Sequence, residues 1–199
     1  MSDSGSISDK DKEAAQAILM EVSRFVVSLA RESERVAVVM GVAQVDLTLE
    51  RSLKSLFREH PGGQDNLFDL DRPLSTFSAK IALAFRIGLI DSDFEHVLQM
   101  FRKIRNDFAH STEPEKLTES RHRNRMKEIV NVMKSSPSFE STRNIFLNAK
   151  LSSPELTDFS VAIDMTLIIL ETTMVLNQRI SHAKVASFKL LEQVFPSPE

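Results

Sequence analysis

The sequence predicts an all-α fold, a compact multi-helix bundle with a central αα-hairpin at about residues 74–110. Three observations carry this reading. Apolar residues return at three- and four-residue spacing in every long segment, and no segment alternates with period two for long. Prolines at 61, 73, 114, 137, 154 and 196 divide the chain into successive helix-length pieces. The stretch from Pro73 to His110, PLSTFSAKIALAFRIGLIDSDFEHVLQMFRKIRNDFAH, holds two apolar helical patterns joined by a short stop, as a helical hairpin requires.

Residues 1–8, rich in Ser, Asp and Gly, read as a disordered N-terminus, and residues 9–196 as one helical domain. A first helix is expected from about Asp9, with Ala14, Ala17, Ile18, Val22, Phe25, Val26 and Leu29 at helical spacing. From Glu32 a second helix carries Val38, Val42, Val45, Leu49, Leu53 and Leu56 as its inner stripe. Gly41 in its middle costs up to about 1 kcal/mol against Ala and implies a close helix contact. His60, Pro61, Gly62 and Gly63 close that helix, and the polar stretch through Arg72 reads as a surface loop.

Ser75 or Thr76 is the expected N-cap of the third helix. Its apolar residues lie on two sides, Phe77, Ile81, Ala84, Phe85 and Gly88 on one, Leu83, Ile87 and Ile90 on the other, which predicts the central helix of the bundle. Asp91 or Ser92 then caps a helix in which Phe94, Phe101 and Phe108 repeat every seven residues, with Val97 and Ile104 between them. After Pro114, Leu117 to Lys134 reads as an exposed helix with few apolar positions, Met126, Ile129, Val130 and Met133. Its RHRNRMK run, offset by Glu119 and Glu128 and lacking interleaved aromatics, reads as a solvated face. A short helix around Thr142 to Ala149 is followed by Pro154 and Glu155, which open the last long helix. The centre of that helix, VAIDMTLIIL, is apolar all round and should be buried. An amphipathic turn or two after His182 ends at Pro196.

Composition removes several function classes. There is no Cys, so disulfides, thiol chemistry and thiolate zinc sites are excluded. The His residues at 60, 96, 110, 122 and 182 form no close pair and no HExxH pattern, so no metal site is expected. Neither GxGxxG nor a P-loop occurs, and no cofactor is expected. A formal charge of −3 argues against a surface dominated by nucleic-acid affinity. The first residues lack the basic and apolar regions of a signal peptide, and the run Val161 to Leu170, broken by Asp164, is too short to span a bilayer. The expectation is a soluble, cytoplasmic chain without membrane contact.

The polar cluster at the end of the Phe seam, Arg102, Lys103, Arg105, Asn106, Asp107 and His110, does not face one way. On an ideal helix Arg105 lies about 40° from the Phe101 direction and borders the core, whereas Asn106 and His110 share the opposite side. The plain account of Arg105 is a stem that packs and a head that reaches water. Asp164, within so apolar a helix, must be paired, protonated or solvated through a gap, and Arg105 is its expected partner with Arg86 second. Asp46, between Val45 and Leu47, is likewise expected to be in an ion pair. Arg102, Arg105, Asn106, Asp107, His110, Asp164 and Asp46 thus form the candidate structural or interaction cluster.

PLSTFSAKIALAFRIGLI followed by FRKIRNDFAH resembles the core signature of the mannitol operon repressor family, a Pro-Leu-x-Thr-Phe helix start preceding an Ile-Arg-Asn-x-Phe-Ala-His stretch. RESERVAVV and Asp46 resemble the family's upstream helix more loosely, with Glu34, Arg35 and Val36 where an acidic-Arg-Gly step is usual and Ser75 in place of Gly. The resemblance implies an all-helical, non-enzymatic repressor of a sugar-alcohol operon that works through a protein partner of unknown identity. The residues themselves show no helix-turn-helix with a basic recognition helix, so sequence-specific DNA binding is not expected.

Arg105, Asn106 and His110, an Arg-Asn-x3-His run, also resemble the motif of HEPN-type RNases, an Arg and a His separated by four to six residues of which the first is polar; these enzymes cleave RNA without metal, usually as homodimers with the motif facing its twin. That second resemblance implies that His110 moves protons at the 2′-hydroxyl, Arg105 stabilises phosphate charge and Asn106 positions both. Ideal geometry separates Arg105 from His110 by about 140°, so such a site needs the helix to end or two copies to meet.

Overall fold

A computed structural model describes residues 9–57, 62, 66–136 and 138–176 of the chain. Among them the apolar spacing resolves into α1 (Asp9–Leu29), α2 (Glu34–Leu56), α3 (Phe77–Arg86), α4 (Ser92–His110), α5 (Ser120–Met133), α6 (Ser138–Ala149) and α7 (Pro154–Leu176), with no strand. The segments expected to be a disordered N-terminus and an amphipathic turn after His182, and the helix stop at His60, Pro61 and Gly63, lie outside the described residues.

Local chemistry starts the helices. Ser33 accepts from the Val36 N–H at α2, Thr76 Oγ1 from Ala79 N at 3.2 Å at α3, and Asp91 Oδ1 from Phe94 N at 2.8 Å at α4. Between α3 and α4, Gly88 takes φ +73°, a left-handed conformation that costs other residues energy, and Leu89 N donates back to Ala84 O. The αα-hairpin is therefore closed by a glycine stop and an aspartate start.

Packing follows the periodicities. All six residues of the α2 stripe are buried, as are Val97, Phe101, Ile104 and Phe108 of the α4 seam, with Phe94 partly so. Every residue from Val161 to Leu167 is buried, because α7 is wrapped by α1, α2, α5 and α6. A Cβ on Gly41 would sit 3.0 Å from Leu29 and 3.3 Å from Ile163, so the glycine lets α2 approach α1 and α7 closely. Phe101 and Phe159 meet edge to face at 5.8 Å and tie the hairpin to α7.

Some expectations are corrected. The helix at the centre is α7, not α3: α3 has ten residues, packs on α2 and α4 at the margin, buries Lys80, Ile81 and Ala84, and leaves Phe85 exposed. A helix of under three turns is too short to be wrapped, and part of its second apolar side falls in the turn that follows it. Leu117 precedes α5 instead of opening it, and α5 buries His122, Met126, Ile129 and Met133 as a continuous inner face. α6 begins at Ser138, a turn earlier than the sequence suggested. No described helix is long and apolar enough to cross a membrane.

Candidate functional site

The cationic residues of α4 are divided by the helix they sit on. Arg102 and Arg105, three apart and half-buried, both face a groove between α2, the start of α3 and α4. The groove holds about 480 Å³; Asp46, Ser75, Thr76, Ser78 and Asn106 supply its other polar groups, and Val42, Leu47 and Phe77 its apolar wall. Arg102 Nε donates to Gln99 Oε1 at 3.0 Å and Arg105 Nη1 to Asn106 Oδ1 at 3.3 Å. Neither guanidinium has a carboxylate within ion-pair distance among the described residues.

Lys80 stands beneath this groove. It is 3 % exposed, and its Nζ lies 2.7 Å from Asp46 Oδ1 and 2.8 Å from Glu50 Oε2, while Lys54 takes the other Glu50 oxygen at 2.7 Å. The Asp46 contact is close in charge but not aligned as a hydrogen bond, whereas the Glu50 contact is. Burial alone would lower the Lys80 ammonium; the two carboxylates outweigh it and raise its pKa, so the cation persists. Burial pushes the Asp46 carboxyl up despite Lys80, and Glu50, with two ammonium partners, is held low against its own burial. Sequence reading missed Lys80. The signal was present: Lys80 falls between Phe77 and Ala84 on the inward face of α3, and Asp46 and Glu50 are one turn apart on α2.

The other side of α4 meets a shallower depression of about 380 Å³ lined by Asn106, Asp107, His110, Ser111, Glu115 and Arg121. Asp107 Oδ2 accepts from Arg125 Nη1 at 2.6 Å. Glu115 accepts from Arg121 and lies 2.8 Å from His122 Nε2; Arg121 first and His122 second hold its pKa down at about 2. His122 is fully buried against the Phe108 ring, 5.0 Å between centroids. The RHRNRMK run is therefore only partly a solvated face, since Arg121 and Arg125 are fixed by carboxylates. Glu115, Glu119 and His122 bring donor atoms within 4.8 Å of one another, but Arg121 already bridges Glu115 and lies 3.6 Å from Glu119, which makes the set an ion-pair cluster.

Glu34 and Arg35 also have definite partners here. Arg35 Nη2 donates to the carbonyls of Ser111 and Glu113, each at 2.9 Å, and Glu34 Oε2 accepts from Leu117 N at 2.6 Å. The start of α2 thus clamps the loop that leaves the RNDFAH stretch.

The structure consequently brings together Asp46, Arg102, Arg105 and Asn106, places Asp107 and His110 at the second depression, and leaves Asp164 apart. Asn106 borders both hollows; Arg105 and His110 share neither. The expected pairing of Asp164 with Arg105 or Arg86 does not form. Arg105 leaves α4 toward α2 and α3, whereas α4 reaches α7 through Phe101. Asp164 is 4 % exposed, its Oδ1 has no hydrogen-bond partner, and neither has Ser160 Oγ one turn earlier on α7. Burial pushes the Asp164 carboxyl up to about 6. Comparison with protein-family models, characterised proteins and solved structures finds no match to this chain.

Proposed function

We propose that the chain is a repressor-like transcriptional regulator of a sugar-alcohol operon that acts by binding another protein and not by reading DNA bases. The sequence resemblance of Pro73–His110 to the mannitol operon repressor family supplies the operon; the observation that carries protein binding is on α2. Val36, Met40 and Leu47 are 40, 53 and 55 % exposed. Spaced four and seven apart, with half-buried Ala43 between the last two, they form one apolar stripe on a helix whose opposite stripe is the core. Single exposed apolar residues are ordinary, but a helical row of them is the surface against which a partner element packs. The HEPN-type alternative draws no such support, because Arg105 and His110 line different hollows.

The test is complementation in the native host. Deleting the gene raises sugar-alcohol operon expression; wild type restores repression, and Met40→Glu with Leu47→Glu, folded by circular dichroism, does not. Unchanged expression on deletion, or tight operator-specific DNA binding by the purified chain, overturns the proposal. An RNA digest with wild type and His110→Ala decides the alternative: RNA cleavage lost in a folded His110→Ala protein replaces the regulator with the RNase.

A further inference from the structure

We propose that the groove between α2, the start of α3 and α4 binds a small hydroxylated monophosphate, with its phosphate on Arg102 and Arg105. Arg51, Arg121, Arg125 and Arg143 each meet a carboxylate, and Arg35 is held by the Ser111 and Glu113 carbonyls. Arg102 and Arg105 instead lie half-buried beside the same empty volume with only neutral side-chain oxygens bound. A guanidinium presents a planar fork that matches phosphate in two parallel hydrogen bonds, and two forks one turn apart converge on one anion.

The remaining lining narrows the ligand. Phe77 and Ser78, in the first turn of α3, also line the groove. First-turn N–H groups have no acceptor within their helix, and the cap at Thr76 takes only that of Ala79, so the helix end adds favourable potential for an anion. Asp46 faces the same volume and disfavours a second anionic group, while its carboxylate accepts from hydroxyls. Ser75, Ser78 and Asn106 donate to and accept from neutral hydroxyls at the same time. One phosphate at the arginines and an uncharged, hydroxyl-bearing remainder toward Asp46 satisfies both ends. A groove of about 480 Å³ suits such a molecule. This inference stands whether or not the chain regulates an operon.

The experiment is calorimetric titration of the full chain with glucose 6-phosphate, inorganic phosphate, glucuronate and glucose. The expected result is saturable binding of glucose 6-phosphate, with phosphate at least tenfold weaker and glucuronate and glucose weaker again. Arg102→Gln and Arg105→Gln should each lower affinity for both phosphates tenfold or more with an unchanged urea midpoint, and Arg105→Lys should retain part of it. Ser75→Ala, which leaves both guanidinium partners in place, should weaken only the sugar phosphate. Absence of saturable binding by either phosphate, equal binding by the Arg→Gln variants, glucose 6-phosphate no tighter than inorganic phosphate, or glucuronate matching the phosphate ester would each overturn the proposal.

Discussion

Replacing Asp164 by Asn should stabilise the protein, and by an amount that depends on pH in a defined direction. The carboxyl is pushed from 3.8 to about 6 by burial in α7, with no cation to offset it. The folded chain therefore holds this proton more tightly than the unfolded chain. Its contribution to stability is fully present below pH 3.8 and is lost as pH rises through 6. At 1.36 kcal/mol per unit, the ionised group costs about 3 kcal/mol at pH 7.5. Asn is neutral throughout and nearly isosteric, so the variant removes the titration without opening a cavity. Urea unfolding of wild type and Asp164→Asn at pH 4, 5, 6 and 7.5 isolates this one group, since the other titrations cancel in the difference. The variant's advantage should grow from about 0.5 kcal/mol at pH 4 to about 3 kcal/mol at pH 7.5. A difference independent of pH, or one that favours wild type at pH 7.5, would refute the view that Asp164 is buried without a charge partner.

Two further outcomes follow from the ion-pair clusters. Lys80→Met leaves Asp46 without its close cation and should cost about 3–5 kcal/mol in urea unfolding, most of it recovered by adding Asp46→Asn; a loss that the second change does not touch would mean that Lys80 acts through packing. Glu115, held at about 2 by Arg121 and His122, has the opposite linkage to Asp164: its stabilisation is present above pH 4.5 and is lost as pH falls toward 2. Glu115→Gln should therefore flatten the acid limb of the stability profile, and an acid limb identical to wild type would show that these contacts do not persist in solution.

The helices were legible because each inner stripe repeats a period set by the backbone, and the caps at Thr76 and Asp91 are local chemistry. Helix centrality was not. Apolar residues on two sides of α3 and all round α7 look alike until the length of each helix and the number of its neighbours are known. Among the site residues, angular position on α4 correctly separated Arg105 from His110, which depends on one helix alone. The partners of Asp46 and Asp164 depend on how three helices are rotated about their axes. Lys80 was found only by docking α3 on α2, and Asp164 proved to have no cation within reach because α4 turns a phenylalanine toward α7.

The position of α7 also sets the order in which the chain can be finished. Val38, Val42, Val45 and Leu49 lie on α2, the helix that α7 packs against most extensively. The Ser52 hydroxyl of α2 reaches the Leu170 carbonyl of α7 across 118 positions of sequence. At synthesis rates of about 5–20 residues per second, the 118 positions of that contact correspond to a delay of roughly 6 to 24 seconds. During that interval the nascent α1 and α2 expose an apolar surface that has no native cover, and the closure that ends it is non-local and thus slow. A ribosome-bound chain stopped before Pro154 carries the shell of a core whose central helix has not yet been made.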